Sequence, residues 1–397
     1  MPALDIYVDG LTSETRIAYV EGGELVGLRI DRPQQHRRVG DVVLGRVRKV
    51  IGGINGAFLD IGNPEHGFLP FADKVKAPPV SEGDAVVVRV TRSAMAEKGA
   101  RLALGNPTLG DGNVPPAVLV AGPDALDQEL ASLAHRQPAR IVIDGADAWS
   151  TALAHVPASE RDILVRHTGE EPLFDSCGIE AQIDAALSPV VLLPSGGQVH
   201  IRETPACVTI DVDSAAASDG RSRADTVRQI NREAALTIAR ELRCRNLSGN
   251  IVIDFIASKN KKDGAALLDL LRSSAATDAL PVEVKGWSRL GLVEVVRRRQ
   301  APSLGDQLCV PIALGDGLGQ VKSPLTLGYA ALRQAGVAGR KSPGRPVTVR
   351  CPPDVCEILH TNLSHDVRAL EARLGSPLNL SADPAIPMDG LDVFTGA

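Results

Sequence analysis

Apolar and polar residues alternate with a period of two through most of the first hundred positions, the pattern of half-buried strands. Short alternating stretches (ALDIYVDG, ETRIAYVEGGEL, VGLRID) fill residues 2–31, and a polar break runs from Pro33 to Arg38. GDVVLGRVRKVI, GAFLDIG, HGFLPF and DAVVVRVTR then follow between glycine-bearing turns, and the pattern ends near Leu104. Five short strands in about 70 residues predict a small OB-type barrel. Residues 105–122, rich in Gly, Pro and Asn, read as a loop or linker. Beyond them DALDQELASLAH predicts a helix, ARIVIDG a strand and IEAQIDAAL another helix. The barrel therefore interrupts a domain that residues 1–35 begin.

The period changes again after the PSGG turn at 194–197. PACVTIDVDSA predicts a strand with Val208, Ile210 and Val212 on one face and Thr209, Asp211 and Asp213 on the other. Residues 225–244 place Val227, Ile230, Ala234, Ile238 and Leu242 at helical spacing, and GNIVIDFIAS is a second strand. Strand, helix and strand in this order form a crossover unit with parallel strands. A helix at 265–274, a strand at 281–286 and a helix at 291–299 are expected next. The tail adds one alternating stretch (PVTVRC) and helices near 353–362 and 365–374.

A length of 397 residues suits two to four domains. The hydrophobic share of 44% excludes a wholly disordered chain, while 3% aromatic residues make each candidate stacking ring informative. No apolar run approaches the ~18 residues of a membrane span, and the acidic N-terminus does not fit a signal peptide. A cytoplasmic location is expected. None of the six cysteines forms a C-x-x-C pair, so neither a disulfide framework nor a structural zinc site is expected. The net charge of -5 conceals basic segments at 36–103 and 197–300, each net +4, flanking an acidic segment at 104–196, net -9. A polyanion would meet the basic segments favourably. Solvated charged faces would give the same count.

Asp211 and Asp254 each lie late in an apolar strand of the crossover unit, at the sheet edge where open α/β sheets bind ligands. One reading makes them ligands of a hard cation such as magnesium, which one or two carboxylates hold beside phosphate oxygens and water. The other makes them strand-end caps or ion-pair partners of nearby cations. Those cations are Arg221, Arg223, Arg228, Lys259, Lys261 and Lys262. Asp213 shares the face of Asp211. In the barrel, Phe58 and Phe68 lie on neighbouring strand patterns with His66, Arg46 and Lys49 near them and Lys98 in a turn. Aromatics among cations hold unstacked bases; equally, both rings could be core.

At these residues the chain resembles the RNase E/G family of endoribonucleases. GDVVLGRVRKVIGGINGAFLDIGNPEHGFLPF is similar to that family's S1-type barrel. LPSGGQVHIRETPACVTIDVDSA, NREAALTIARELRCRNLSGNIVIDFI and SRLGLVEVVRRRQAPSL are similar, in order, to its catalytic subdomain. The resemblance implies a multidomain α/β and α+β fold. An RNase H-like subdomain (1–35 and 105–192) would carry an inserted OB-fold (36–104). A DNase I-like catalytic subdomain (193–305) and a small C-terminal α+β domain (306–397) would follow. It implies Asp211 and Asp254 as catalytic magnesium ligands, with manganese an alternative ion. Asp213 stands where the family has an asparagine that supports the attacking water. Phe58, Phe68 and Lys98 match residues that grip single-stranded RNA, beside Arg46 and Lys49. The implied reaction is RNA hydrolysis to 5′-phosphate and 3′-hydroxyl products.

Three departures qualify this picture. Position 213 is Asp rather than Asn. The family's 5′-monophosphate sensor is not recognisable, its second arginine falling at Pro281, so cleavage indifferent to the 5′ end is expected. Only Cys309 stands where the family has a zinc-sharing cysteine pair. A monomer, or a dimer without zinc, is therefore expected. The chain ends at Ala397, and no long scaffold for degradosome or membrane partners is expected. The alternative function is a non-catalytic RNA-binding or ribosome-associated factor on the same fold.

Overall fold

The computed structural model describes residues 3–32, 37–71, 80–92, 94, 99–110, 112–214, 222–258, 260–314 and 317–396. The chain is a mixed α/β protein. It opens with β1 (Leu4–Asp9), β2 (Thr15–Glu21) and β3 (Glu24–Asp31), which follow the alternation read in residues 2–31.

The next block holds β4 (Val42–Ile51), β5 (Gly56–Asp60), β6 (Gly67–Pro70), β7 (Ala85–Arg92), β8 (Arg101–Leu104) and β9 (Ala117–Val120). Their order is β5-β6-β8-β7-β4-β9, and β5 also pairs with β4. That pairing closes five strands into a barrel, an arrangement compatible with an OB-type fold. Alternation explains the closure: Val43, Val47, Ala57, Leu59, Leu69, Val88, Val90 and Leu102 all turn inward to one core. The segment 105–122 is not a plain linker. A 3-10 turn at Pro107–Gly110 leads to β9, which pairs antiparallel with β4 as a sixth strand. Only four residues long, β9 is too short to show a period amid Gly and Pro.

Next come α1 (Ala125–Ala131), α2 (Leu133–Arg136), β10 (Arg140–Asp144), α3 (Ala146–His155), β11 (Leu164–Arg166), α4 (Leu173–Ser176) and α5 (Ile179–Leu187). An Asp124–Asp127 capping box starts α1. A five-stranded sheet results, ordered β11-β10-β1-β2-β3, with β1, β10 and β11 mutually parallel neighbours.

The third sheet uses β12 (Val190–Leu192), β13 (Gln198–Glu203), β14 (Val208–Asp213), β15 (Gly249–Asp254), β16 (Val282–Trp287) and β17 (Val293–Arg297). Its order is β12-β13-β14-β15-β17-β16. Between β14 and β15 runs α6 (Arg223–Cys244), and α7 (Lys261–Ala275) precedes β16. Ser222 and Asn260 cap the two helices by accepting the amide hydrogens of Asp225 and Lys262. Ile230, Ala234, Ile238 and Leu242 of α6 pack against Val208, Ile210, Val212, Ile251 and Ile253. The crossover unit is as expected, and β14 and β15 are parallel. The helix expected at 291–299 is instead β17. Its residues alternate, with Val293 and Val295 buried and Glu294 and Val296 exposed. Arg297 turns inward, where Asp278 at 2.7 Å neutralises it and the Asn246 side chain accepts at 2.9 Å. A charge that reads as helical surface is in fact a buried strand residue.

The tail contains α8 (Leu304–Leu308), β18 (Cys309–Leu314), β19 (Gly317–Lys322), α9 (Pro324–Lys341), β20 (Val347–Cys351), α10 (Pro353–His360), α11 (Ser364–Leu374), β21 (Leu378–Ala382) and β22 (Asp392–Thr395). Its longest element, α9, was not anticipated by the alternation in this region. β20 is central in a β21-β20-β22 sheet against which α9, α10 and α11 bury Leu327, Leu332, Val355, Leu359 and Leu370. The chain forms two compact units, one of Met1–Leu4, Ala18–Leu28 and Phe174–Val310, the other of Asp5–Ile17, Arg29–Leu173 and Pro311–Ala397. Among the described residues no helix is long and apolar enough to cross a membrane.

Candidate active site

Because β14 and β15 are parallel and in register, Asp211 lies directly beside Asp254, the last pair of their ladder. On the other side of β14, antiparallel β13 sets His200 opposite Asp211 and Arg202 opposite Thr209. His200, Asp211 and Asp254 thus form a row across three strands. All three line a groove of about 460 Å³ with Arg202, Thr209, Val252 and Leu292. The strand interiors explain this placement: Val208, Ile210, Ile251 and Ile253 are held by the core, so the intervening side chains must face outward.

Both carboxylates are exposed, and neither has a hydrogen bond or ion pair with any described residue. Arg228, a candidate partner, binds Asp225 at 3.1 Å and Asp263 at 3.4 Å instead. Arg223 and Lys262 are exposed on the two helices, the side chain of Lys261 is not described, and Arg221 and Lys259 lie outside the described residues. The ion-pair reading of Asp211 and Asp254 therefore finds no support among the described residues. Asp213 is exposed two positions on, beyond the last β14–β15 pair and opposite Gln198. Among the described residues no three His, Cys, Asp or Glu side chains converge on a common ion position. A two-carboxylate donor set with remaining positions for water and phosphate fits magnesium, which needs no all-protein cage.

His200 and Arg202 were not singled out by sequence reasoning. The sign was present in the alternation QVHIRE, which turns both outward beside the aspartate strand.

On the barrel, Phe58 and Phe68 are directly opposite across β5 and β6, with ring centroids 5.4 Å apart and tilted by 50°. Both are half-buried, on the outer face; the core is filled by their neighbours Ala57, Leu59 and Leu69. Lys49 is registered beside Phe58 and Arg101 beside Phe68, so a row Lys49–Phe58–Phe68–Arg101 crosses β4, β5, β6 and β8. Lys49 and Arg101 are exposed. Arg101 was missed because β8 follows a segment with no clear pattern. Arg46 donates to the Gly83 carbonyl at 3.0 Å, which ties it to a loop. Lys98 lies outside the described residues. Gly56 makes room for the pair: a Cβ there would fall 2.5 Å from the Phe68 ring.

Comparison with known proteins adds to this geometry. The model of the ribonuclease E/G family matches residues 108–300, a span that includes Asp211 and Asp254. Ribonuclease G of Escherichia coli (strain K12) is 27% identical over 98% of this chain and 99% of its own. Its Haemophilus influenzae counterpart is 28% identical over 99% of each. The family match and these near full-length relatives support a member of the ribonuclease E/G family. Within that family, Ribonuclease E of Escherichia coli (strain K12) is 27% identical over 91% of this chain but only 43% of its own length. The likeness to the ribonuclease G proteins is therefore end to end.

Proposed function

We propose that this family member is an endoribonuclease that hydrolyses single-stranded RNA to 5′-phosphate and 3′-hydroxyl ends. Magnesium, or manganese in its place, would be held by Asp211 and Asp254. One observation carries the reading: two exposed carboxylates, in register at the end of a shared ladder, neither of which makes an ion pair or hydrogen bond with a described residue. A bound divalent ion supplies charge neutralisation at the phosphoryl oxygens and a more acidic water. Asp211 and Asp254 hold it at the groove. Asp213, further along the same face, orients the attacking water and contributes a negative charge where the family has an amide. Arg202 in the groove offers a fork of donors to a phosphate. On the barrel, Phe58 and Phe68 stack unpaired bases while Lys49, Arg101, Arg46 and Lys98 meet the backbone.

The sheet order β11-β10-β1-β2-β3 supports an RNase H-like reading of the discontinuous subdomain, and the α6/α7-backed sheet supports a DNase I-like reading of the catalytic one. The lone Cys309 and Pro281 support an enzyme without a zinc-linked dimer and indifferent to the 5′ end. Equal cleavage of 5′-monophosphate and 5′-hydroxyl forms of one oligonucleotide is expected; a strong monophosphate preference would refute that part.

The central test is cleavage of a fluorogenic single-stranded RNA with and without magnesium, by wild type and Asp254→Asn. Turnover should require the metal and vanish in the variant, while RNA binding persists. Equal turnover by the variant removes Asp254 from the mechanism. RNA binding by wild type without any cleavage leaves the non-catalytic factor.

A further inference from the structure

Asp254 belongs to two cavities. Besides the groove it shares with Asp211, it lines a larger cavity of about 750 Å³, framed by Phe255 and Ile256 after β15, the first turns of α7, and Trp287 and Leu290 around the β16–β17 turn. That volume is within the range of small-molecule sites. Its walls are mainly apolar, and Trp287 and Leu290 are unusually open for their type, at 41% and 87% exposure.

The tryptophan is fixed rather than loose. Phe255 meets its ring edge-to-face at 6.3 Å, and its indole nitrogen points at the Gly264 carbonyl, 3.4 Å away, in the first turn of α7. The opposite wall is also braced. Asn231 of α6 donates to the Ile256 carbonyl at 2.8 Å and accepts from the Ile256 amide at 3.1 Å. At the rim, Arg228 is engaged by Asp225 and Asp263, whereas exposed Arg232 has no ion pair with a described residue. An aromatic platform, apolar walls and an uncommitted guanidinium are what an unstacked nucleotide needs.

We propose that this cavity holds an unstacked nucleobase of the RNA strand, with Trp287 as its stacking platform and Arg232 meeting the adjoining phosphate. The inference rests on the reading of Asp211 and Asp254 as the cleavage site. Their shared wall, Asp254, sets the base next to the bond to be cut. A peptide side chain would fill the apolar walls equally well but gives no role to Arg232 or to the continuity through Asp254.

The chain has two tryptophans, so Trp149→Phe leaves Trp287 as the only indole emitter. With a single-stranded oligoribonucleotide in EDTA, Trp287 emission should be quenched along the same isotherm that RNA anisotropy follows. Trp287→Ala should raise KM for cleavage by about 5–150-fold with a smaller change in kcat. Trp287→Phe should restore most of the loss. RNA binding without quenching, or an unchanged KM in Trp287→Ala, overturns the proposal and leaves a peptide as the occupant; so does failure to bind RNA at all. If Trp287→Ala does not fold, the quenching experiment decides alone. Wild-type turnover by Asp254→Asn sinks the cleavage-site reading instead, whatever Trp287 does.

Discussion

Two aspartate pairs in this molecule share one backbone arrangement and have opposite fates. Asp9 and Asp144 are the last pair of the parallel β1–β10 ladder, as Asp211 and Asp254 are of the β14–β15 ladder. Asp9 and Asp144 are buried, at 3% and 7% exposure. Arg16 binds Asp9 at 2.6 Å, and Arg333 of α9 lies 3.7 Å from it while holding Glu14 at 2.7 Å. Arg32 closes the cluster on Glu14 at 2.5 Å. Burial alone would push Asp9 and Glu14 upward, but the combined guanidinium charges outweigh it and hold both below the usual carboxylate range. Asp144 makes no such ion pair among the described residues; burial first, then the Asp9 charge, push it up against weaker opposing pulls from His167 and Arg340. Acid register on parallel strands thus specifies a position, and the cations brought to it decide whether the pair is buried and neutralised or left exposed.

This contrast can be broken by experiment. Asp211→Asn should lower magnesium-dependent turnover about a thousandfold or more, the scale of several kcal/mol that a Lewis-acid ion supplies. Asp144→Asn, at the matching place in the other sheet, should leave turnover unchanged. Comparable losses in both would show that the pairs are not distinct. Arg333→Met should destabilise the fold by up to about 3 kcal/mol in urea denaturation, because buried Asp9 and Glu14 then share only Arg16 and Arg32. A midpoint unchanged from wild type would show that the cluster contributes nothing net.

Phe58→Ala or Phe68→Ala should weaken RNA binding by about 1–3 kcal/mol in anisotropy titrations. Because the rings are half-buried, melting temperature should fall far less than for a core ring; a large fall with unchanged binding would return them to the core. The smallest effect concerns pH. Asp9 and Glu14 are depressed, so their stabilisation is complete above their ordinary values of 3.8 and 4.5 and is lost as pH falls through and below them. Asp144 is raised, so above 3.8 the folded state keeps a proton that the unfolded chain releases, and stability falls as pH rises toward its shifted value. Urea midpoints from pH 3 to 7 (roughly the window of these groups) should show Asp144→Asn removing that second, opposing slope.

Much of the site was legible because it depends on local alternation. VTIDVD and NIVIDF declare which residues face outward, and the helix between them declares parallel strands. The fate of each acid was not legible in the same way. DIYVD and RIVID read much like the catalytic candidates, and the arginine that helps neutralise Asp9 arrives from α9, hundreds of residues later. Pattern alone could not choose a face for Phe58 and Phe68; register sets them opposite one another on the outer face of β5 and β6. VEVVRRR misleads for a related reason: Arg297 is inward only because Asp278 waits there. Where charge meets charge across distant segments, pattern gives the face and tertiary structure gives the partner.

The hydrogen that Gly56 carries in place of a side chain has a consequence for divergence within this lineage. Any larger residue at 56 would drive against the Phe68 ring and the Leu69 carbonyl at once. The aromatic couple on the barrel is therefore inherited together with a vacancy two strand positions away. Removing the Phe68 ring alone would not free the position, because the Leu69 carbonyl would still lie 2.8 Å from a Cβ there, so glycine at 56 is required by the strand pairing as well as by the ring.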